Sequence, residues 1–488
     1  MKRIIFLLLT GGVFIESYAQ NNYAADPKFD TTIVSNRAVV VKAAGPEYAA
    51  SQWKQFWWGK HYRREWATPV TFPVLDISEI DGGLMPLKLG GGHESKSLRL
   101  LSANGREYVL RTSNRTHDAI VPDELKGTFL NDIANDQVST AHPYGAIAIS
   151  RMAEAISIPH TNPTVYYVPD DPRLGEFRNV FANSLALLEE RPSGEGWKHK
   201  QVFGDADDII NTKEMLEHAF ASTRNSVDQQ MFLRVRLFDH IINDWDRHED
   251  QWVWAEKKNG EKHLYLPIGR DRDQAFSKTD GTALYLASLP WAFRPLKNFT
   301  PDIKDLRGQN FSARNLDRKF LNELSRDEWQ RAIQFIQTSL TDAAIENAVN
   351  TMPEEVNKIS GEYIVKRLKE RRNNLSKYGM KYYSVLKKRV AITGTAERER
   401  FVVDLDSRNR LSVTGIWSEA DTFYHCVFKR KETKEINIYA LGGDDEYDLG
   451  GRKKNHFKIR FIGGEGNNSY QAEGSGISGR RVRVYDSL

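Results

Sequence analysis

The sequence has a single cysteine, Cys426, among its 488 residues. An intrachain disulfide therefore cannot form, and a zinc cluster built from thiolates is excluded. Acidic and basic residues nearly balance at a formal net charge of +4, which gives no reason to expect nucleic acid as a partner. The HExxH pattern of zinc hydrolases and the GxSxG turn of serine hydrolases do not occur. Neither hydrolase class finds support in the sequence.

Long apolar runs are also scarce, and only the stretch at residues 4–15 is strongly apolar. Lys2 and Arg3 precede this run, and Ser17 and Ala19 follow it as the small residues of a cleavage site. About 20 apolar residues are needed to span a bilayer, so the run is too short for a membrane anchor. We predict that residues 1–19 are a cleavable signal peptide. The mature chain is then exported, to the periplasm or to the outer membrane.

The first part of the mature chain, residues 20–81, carries a dense aromatic cluster. Its members are Trp53, Phe56, Trp57, Trp58, Tyr62 and Trp66. Large aromatic side chains bury much surface when they pack. We interpret this part as a packing segment that lies across the following domain.

The central part changes from strand to helix periodicity. Residues 82–112 alternate as strands do, and Asn104-Gly105 between two of these strands predicts a hairpin with a type I′ turn. A helix-rich region follows, in which AIAISRMAEAI has helical spacing and TVYYV and SLALLEE are predicted as strands. Further along, a capping box begins at Ser325, and one long helix is predicted near the end. This succession predicts an α+β domain of two lobes.

The last part, residues 389–488, is rich in strand-forming residues with Gly and Asp between them. The segments LGGDDEYDLGG and FIGGEGNNSYQAEG lie about 20 residues apart and predict a β-solenoid or a sandwich-like domain. The turns are interpreted as plain Gly-Asp turns, with calcium-binding repeats as the alternative. The pattern stops in mid-strand, and we expect the natural protein to continue past Leu488.

Two acidic loops carry the densest charge in the sequence. The first lies in DHIINDWDRHEDQWVW, residues 239–254, where an apolar helix gives way to Asp246 and its charged neighbours. The second follows the strand KHLYLPI and contains Asp271 and Asp273. Carboxylate and amide oxygens suit a hard divalent cation. The alternative is a structural network that pairs these acids with arginines, namely Arg247, Arg270 and Arg272.

These loops resemble the catalytic core of kinase-like folds, such as HipA-type, CotH-type, lipid and secretory-pathway kinases. The resemblance implies a kinase-like domain over residues 82–388, with an N-lobe and hinge over 82–191 and a helical C-lobe over 192–388. Asp246 would orient the acceptor hydroxyl. His248 of the same DRH triplet would brace the loop or act as the base.

The same resemblance implies the ligands of the site. Gln251 stands five residues after Asp246, where such kinases have a metal-binding Asn, and Asp271 and Asp273 would hold Mg²⁺ or Mn²⁺. ATP would be the nucleotide. The phosphates would bind to a glycine-rich loop and to a cationic side chain, and the adenine would bind to the hinge. An acidic side chain would pair with that cation. The candidates are Gly90, Gly91 and Gly92 for the loop, Lys96, Arg111 or Arg115 for the cation, Glu189 and Glu190 for the hinge, and Glu124, Asp132 or Asp136 for the acid.

A second resemblance extends over nearly the whole mature chain. The runs GKHYRREWATPV, HTNPTVYYVPDDPRLGEF and RDRDQAFSK are similar to the periplasmic region of Gram-negative envelope proteins. That region is often linked to a calcineurin-like phosphoesterase and to a BamA/TamA-type surface-antigen barrel, and this sequence contains neither.

The sequence thus supports two functions. The first is an exported, metal- and ATP-dependent phosphotransferase of the cell envelope, whose partners are a nucleotide and a hydroxyl acceptor. The second is a non-catalytic periplasmic module that serves an outer-membrane barrel, either a separate partner or a missing C-terminal part.

Overall fold

The computed structural model describes residues 31–34, 37–90, 95–115, 135–287, 297–418, 421–451, 455–473 and 481–486. The predicted signal peptide lies outside these ranges, as do four candidate site residues, Gly91, Gly92, Glu124 and Asp132. Over the described ranges, no helix combines the length and the apolar character needed to cross a membrane.

A small antiparallel sheet and two short helices form the N-terminal segment. They are β1 (Thr31–Val34), β2 (Arg37–Ala43), α1 (Gln52–Trp58), α2 (Arg63–Ala67) and β3 (Pro69–Pro73). The aromatic cluster divides here. Tyr62 and Trp66 are buried in the main core, whereas Trp53, Phe56 and Trp57 are exposed. The interpretation of the cluster as packing is therefore correct for the first pair and wrong for the three exposed residues of α1.

A five-stranded antiparallel sheet forms the first lobe. Its elements in chain order are β4 (Leu84–Gly90), β5 (Ser95–Ser102), β6 (Glu107–Arg115), α3 (Gly145–Ala155), β7 (Thr164–Val168), α4 (Arg178–Phe181) and β8 (Ser184–Glu190). The strand order in space is β4-β5-β6-β8-β7. A hairpin at the edge of the sheet, a helix before the fourth strand and a final strand that leads into the helical lobe match the order implied by the kinase resemblance.

The hairpin between β5 and β6 forms as predicted, but its turn is of another type. Gly105 has a positive φ of 74°, whereas Asn104 does not have a positive φ. Gly105 N donates to Ser102 O at 3.0 Å, and Ser102 N donates to Arg106 O at 2.8 Å. Because a third loop residue is available, only the glycine needs the left-handed conformation.

The second lobe is mainly helical and contains a small mixed sheet of order β10-β12-β11-β9. Its elements are β9 (Asp208–Asn211), α5 (Thr212–Ala221), β10 (Asn225–Val227), α6 (Gln229–Ile242), β11 (Trp252–Asn259), β12 (Lys262–Gly269), α7 (Thr282–Ala287), α8 (Leu306–Gln309), α9 (Arg314–Phe320), α10 (Arg326–Ser339), α11 (Asp342–Val349), α12 (Glu354–Asn373) and α13 (Leu375–Lys387).

Capping decides where the helices of this lobe begin and end. The predicted capping box is present, because Ser325 Oγ accepts from Glu328 N while a Glu328 carboxylate oxygen accepts from Ser325 N. The predicted long helix is instead two helices, α12 and α13, that meet at Asn374. Two successive asparagines stand at this point, and asparagine has a low helix propensity.

The C-terminal strands form a β-solenoid with a hairpin inserted after the first coil. The strands are β13 (Arg389–Thr393), β14 (Arg400–Leu405), β15 (Arg410–Ile416), β16 (Thr422–Lys429), β17 (Glu435–Tyr439), β18 (Glu446–Gly451), β19 (Lys458–Ile462), β20 (Ser469–Glu473) and β21 (Val482–Tyr485). One sheet, β13-β17-β19-β21, is entirely parallel, and the other runs β16-β15-β14-β18-β20. The predicted α+β fold with a β-rich tail is confirmed, and of the two forms foreseen for the tail the strands adopt the solenoid.

Equivalent positions of successive coils lie 23 residues apart and stack on one another. Tyr447 and Tyr470 stack with ring centroids 4.8 Å apart. In the turns, Asn467 N donates to Asp444 Oδ1 at 2.7 Å across this 23-residue spacing. These turn side chains bond the neighbouring coil, as expected for plain Gly-Asp turns.

A buried acid in the first coil makes the stability of the solenoid depend on pH. Glu399 Oε1 accepts from the amide and the hydroxyl of Thr395, both at 2.8 Å, and Glu399 Oε2 has no hydrogen-bond partner within the described residues. Burial raises the pKa of Glu399 from 4.5 to about 7. Glu399 therefore loses its proton at a lower pH in the unfolded chain than in the folded protein. The folded state is progressively destabilised as the pH rises from 4.5 to about 7.

We therefore expect Glu399→Gln to change stability little at about pH 5 and to raise it at about pH 8, by up to about 3 kcal/mol. Thermal unfolding at the two pH values measures this difference, with the exposed Glu465→Gln as the control. An equal shift in melting temperature at both pH values would contradict the expectation.

Candidate functional site

A β-hairpin brings the two acidic loops side by side. Helix α6 ends at Asn243, which adopts a left-handed φ of 64° and directs the chain into residues 244–251, the first acidic turn. Strands β11 and β12 then pair so that Trp252 lies opposite Gly269. The chain leaves β12 into residues 270–273, the second acidic turn, and Arg270 N donates to Gln251 O at 2.9 Å. The backbones of the two acidic turns therefore lie side by side at the base of the hairpin.

Arg247 joins the two turns from the inside. Its fully buried guanidinium donates to Arg270 O at 2.6 Å and to Gln251 O at 3.2 Å. It also lies 4.3 Å from the centroid of the Trp252 ring. One side chain thus joins the end of the first turn to the start of the second turn.

The carboxylate partners of Arg247 are two buried acids of the preceding segment. Arg247 lies 3.4 Å from a carboxylate oxygen of Asp239 and 3.4 Å from one of Asp244. Burial raises the pKa of Asp244 well above its usual range, against the pull of Arg247. Burial acts in the same direction on Asp239, but three arginines outweigh it and lower the pKa of that carboxyl. These arginines are Arg247, Arg272 and Arg236.

Arg247 and Arg272 thus belong to an ion-pair network, but its acids are Asp239 and Asp244, whereas the network considered as an alternative involved Asp246 and Asp271. Arg236 extends it by contacting Asp239 at 2.7 Å and Asp317 at 2.8 Å. Arg272 reaches Asp239 at 3.5 Å. The network forms the buried floor beneath the two turns.

The candidate catalytic residues of the first turn lie on its more open side. The side chains of Asp246 and His248 are 33% and 44% exposed. His248 Nε2 lies 3.9 Å from Asp246 Oδ2 and 3.3 Å from Gln251 Nε2. Asp246, His248 and Gln251 are thus brought together, with His248 between the other two.

The second turn meets the sheet of the first lobe through Arg111 of β6. Arg111 Nη1 lies 2.6 Å from Asp271 Oδ1 and 3.8 Å from Glu189 Oε2. Burial opposes the charge of Arg111, but Asp271, Glu189 and Asp273 together raise its pKa. Asp271 has a positive φ of 52°, a left-handed conformation that Asp adopts more readily than most residues other than glycine.

These four side chains surround a small cleft between the lobes. A cavity of about 50 Å³ is lined by Arg111, Glu189, Asp271 and Asp273, with Trp66 and His142 on another wall. Burial lowers the pKa of His142 to about 3, so this ring is neutral at ordinary pH. The second acidic turn, the predicted hinge strand and one of the three candidate cations thus come together around this cavity.

The remaining candidates of the first lobe are placed differently. Gly90 ends β4 and pairs with Ser97 across the hairpin, and the loop that follows lies outside the described residues. Lys96 is exposed on β5. Nothing is described of the Arg115 side chain. Arg111 is therefore the candidate cation that contacts the second acidic turn.

The two hinge acids are held by the segment before β7. Glu189 accepts from the Thr161 hydroxyl, and Glu190 accepts from Asn162 N at 2.5 Å. Burial raises the pKa of Glu190. In this arrangement both carboxylates tie β8 to its neighbour.

The candidate acid Asp136 contacts the N-terminal segment. Its carboxylate binds Arg63 through both oxygens, with Arg63 Nη1 at 2.6 Å from Oδ1, and Lys54 Nζ lies 2.8 Å from Oδ1. Burial opposes ionisation, but Arg63 and Lys54 lower the pKa of Asp136. Asp136 therefore anchors α1 and α2 to the domain, while Asp271 and Glu189 are the acids beside Arg111.

Sequence reasoning named Arg111 and Arg270 in separate roles and missed Arg191, whose charge interacts with both. Burial lowers the pKa of Arg270 to about 10, and the neighbouring charges of Arg111 and Arg191 act in the same direction. Burial also lowers the pKa of Arg191, and the charges of Arg99 and Arg111 act in the same direction, while its ion-pair partner Glu107, at 2.5 Å, opposes them. Guanidinium groups that repel one another are suited to binding phosphate oxygens. The only sequence signal is an arginine at the end of the hinge strand and another beside Asp271, which are far apart along the chain.

The donor types of the two turns fit a divalent cation, although no ready-made cluster of ligands is present. Asp246, Gln251, Asp271 and Asp273 offer the carboxylate and amide oxygens that Mg²⁺ binds. Over the described ranges, no group of three or more His, Cys, Asp or Glu side chains is placed to hold a metal ion. Asp271 Oδ1 accepts a hydrogen bond from Arg111. A cation at this carboxylate oxygen would need to displace Arg111.

Solved structures similar to part of the chain include kinases. The proinflammatory kinase CtkA of Helicobacter pylori is 11% identical, with a TM-score of 0.31 over 61% of this chain and 95% of that chain. The Rio2 kinase of Chaetomium thermophilum, solved as an ADP/Mg²⁺–phosphoaspartate complex, is 14% identical, with a TM-score of 0.28 over 60% of this chain and 71% of that chain. HipA of Shewanella oneidensis MR-1, from a toxin–antitoxin complex with HipB and operator DNA, is 11% identical, with a TM-score of 0.30 over 61% and 67%.

No protein-family model and no curated protein sequence matches the chain. TM-scores as low as these carry no argument, so the kinase-like interpretation depends on the chain's own strand order and on the contacts of the two acidic turns.

Proposed function

We propose that this protein is an exported phosphotransferase of the cell envelope, atypical and kinase-like, that uses ATP and a divalent cation. One observation carries the proposal. Arg111, on the third strand of the first lobe, has its Nη1 2.6 Å from Asp271 Oδ1. Asp271 comes directly after the hairpin that follows the first acidic turn. A strand cation and a metal-binding acid that meet across the cleft are the parts that phosphoryl transfer requires.

Each residue of the site then has a chemical task. Asp246, on the open side of the first turn, orients the acceptor hydroxyl and receives its proton. Arg111 and Arg270 bind phosphate oxygens, and β8 provides the nucleotide-facing edge of the hinge. The buried network around Arg247 keeps the two turns in register without contacting the substrate.

A divalent cation, when bound, would neutralise the charge of the phosphates. Asp271, Asp273 and Gln251 would hold it. For Asp271 Oδ1 to hold a cation, its hydrogen bond from Arg111 would have to open. The Arg111 guanidinium would then be available for a phosphate oxygen.

The second candidate function is a non-catalytic periplasmic module that serves an outer-membrane barrel. The observation that favours it is the pairing of charges inside the site, because Arg111 already neutralises Asp271 and the cavity beside them measures only about 50 Å³. In this case the cleft has a structural role. Export and a barrel partner are then what the resemblance to envelope proteins implies.

Calorimetric titration with a non-hydrolysable ATP analogue and Mn²⁺ separates the two functions. We expect saturable binding to the unaltered protein and at least a tenfold loss of affinity in Asp271→Ala, because the variant lacks a cation ligand. Asp250→Ala, in the exposed part of the first turn, is the matched control and should bind normally. No heat of binding at millimolar nucleotide would overturn the phosphotransferase proposal and leave the module.

A further inference from the structure

A second cavity, of about 440 Å³, lies between the helical lobe and the solenoid. Its walls are residues 223–230 at the start of α6, the end of α9, and strands β13 and β16 of the solenoid. None of the candidate residues of the two acidic turns lines it. Its volume is within the range of roughly 300–1,000 Å³ that is usual for sites of small ligands.

One end of this cavity is cationic. Lys319 Nζ donates to Thr393 O at 3.1 Å and lies 4.8 Å from the centroid of the Phe220 ring. An ammonium group has three donors, so one backbone carbonyl leaves most of its capacity unused. Burial lowers the pKa of Lys319 to about 8, and Glu399 opposes this effect only in part. The cation is therefore poorly compensated by the protein.

The other end is anionic. Glu323 accepts from Gln229 Nε2 at 2.7 Å and from His425 N at 3.4 Å, and burial raises the pKa of its carboxyl. Glu328, on the same side, adds a like charge that acts in the same direction. Gln229 Oε1 is buried and accepts no hydrogen bond within the described residues. A carboxylate and an unused amide oxygen thus lie side by side.

Lys319 and Glu323 are not paired with each other within the described ranges. Glu399 is the acid whose charge acts on Lys319, and Lys387 is the cation whose charge acts on Glu323. Phe320 and Phe423 line the space together with these charged groups and provide apolar wall. A complementary ligand therefore carries an anionic group and a cationic group, separated by a short, partly apolar body.

We propose that this cavity binds a short peptide with free termini, whose carboxylate lies against Lys319 and whose ammonium donates to Glu323 and to Gln229 Oε1. An extended peptide advances about 3.3–3.6 Å per residue, so a peptide of two to four residues matches a cavity of this size. The site is independent of the phosphotransferase proposal, since it uses neither acidic turn.

Calorimetry with trialanine on the unaltered full chain tests the proposal. Two capped forms are the comparisons, N-acetyl-trialanine without the ammonium and trialanine amide without the carboxylate. We expect the free peptide to bind at least ten times more tightly than either capped form, because each cap removes one charged contact. Equal binding of free and capped peptides, or no binding of trialanine at millimolar concentration, would overturn the proposal. Binding of maltose in place of trialanine would also overturn it and assign the cavity to a neutral sugar.

Two variants locate the contacts. Lys319→Met should weaken the binding of trialanine at least tenfold and leave the binding of trialanine amide unchanged. Glu323→Gln should weaken the binding of trialanine and leave the binding of N-acetyl-trialanine unchanged. Glu362→Gln, on the surface of α12, is the control. If either variant fails to fold, the comparison of capped and free peptides on the unaltered chain still decides. Equal losses for free and capped peptides in both variants would contradict the assignment of the two ends.

Discussion

Replacing Arg247 by Met should lower the free energy of unfolding by about 3–5 kcal/mol, the usual effect of removing one partner of a buried ion pair. Arg247 is fully buried, and its loss leaves Asp239 and Asp244 facing each other with fewer cations. The pKa of Asp244 is already raised well above its usual range, and without Arg247 it rises further. The variant also loses the hydrogen bonds that hold the ends of both acidic turns.

Urea unfolding followed by tryptophan fluorescence measures this loss, because Trp252 lies against the guanidinium. Arg331→Met, at an exposed position of α10, is the matched control and should change stability by less than about 1 kcal/mol. If Arg247→Met is no more harmful than Arg331→Met, the network does not hold the two turns together.

Replacing Asp246 by Asn should lower the rate of phosphotransfer by about 10²–10⁴-fold, the usual contribution of a general base. The substitution keeps the shape of the side chain and removes the charge that receives the proton. Asp246 is one third exposed and the substitution keeps its shape, so the variant should fold normally and bind nucleotide with little change.

Consumption of ATP or self-phosphorylation gives the rate. Asp250→Asn is the matched control, because Asp250 lies in the same turn with its side chain 97% exposed. Equal rates for the two variants would exclude Asp246 as the catalytic base of this turn. A rate of zero in the unaltered protein, under conditions in which nucleotide binds, would leave the cleft a binding site.

Periodicity and turn chemistry were sufficient to predict most elements of the fold. Strands β7 and β8, helix α6 and the capped start of α10 form where alternation, helical spacing and the Ser325 cap predict them. These signals are local, so they can be recognised without knowledge of the partners. The Gly and Asp spacing predicted a solenoid for the same reason, since each coil repeats the same turn.

Features that depend on distant partners could not be predicted. Asp239 belongs to a helix whose pattern is mainly apolar, and only the fold reveals that Arg247 and Arg272 converge on it. Arg191 and Arg270 become neighbours only when the hinge strand and the second acidic turn meet. The exposed aromatic face of α1 has the same composition as a buried one, because composition does not state which side a short helix presents.

The Asn104-Gly105 turn illustrates a third kind of difference. The dipeptide correctly marks the hairpin, but a two-residue and a three-residue loop share this signal. The strand register decides between them, and that register is fixed by side chains outside the turn. A turn motif therefore predicts that a hairpin exists more securely than it predicts the hairpin's geometry.

The most direct test of the account is the electron paramagnetic resonance of Mn²⁺ titrated into the protein with and without ATP. We expect ATP to tighten Mn²⁺ binding to the protein at least tenfold, and we expect Asp271→Asn to abolish this effect while Asp250→Asn preserves it. That result would mean that the second acidic turn releases Arg111 and receives a cation together with the phosphates. Mn²⁺ binding that is equal with and without ATP, or that is unchanged in Asp271→Asn, would contradict the account.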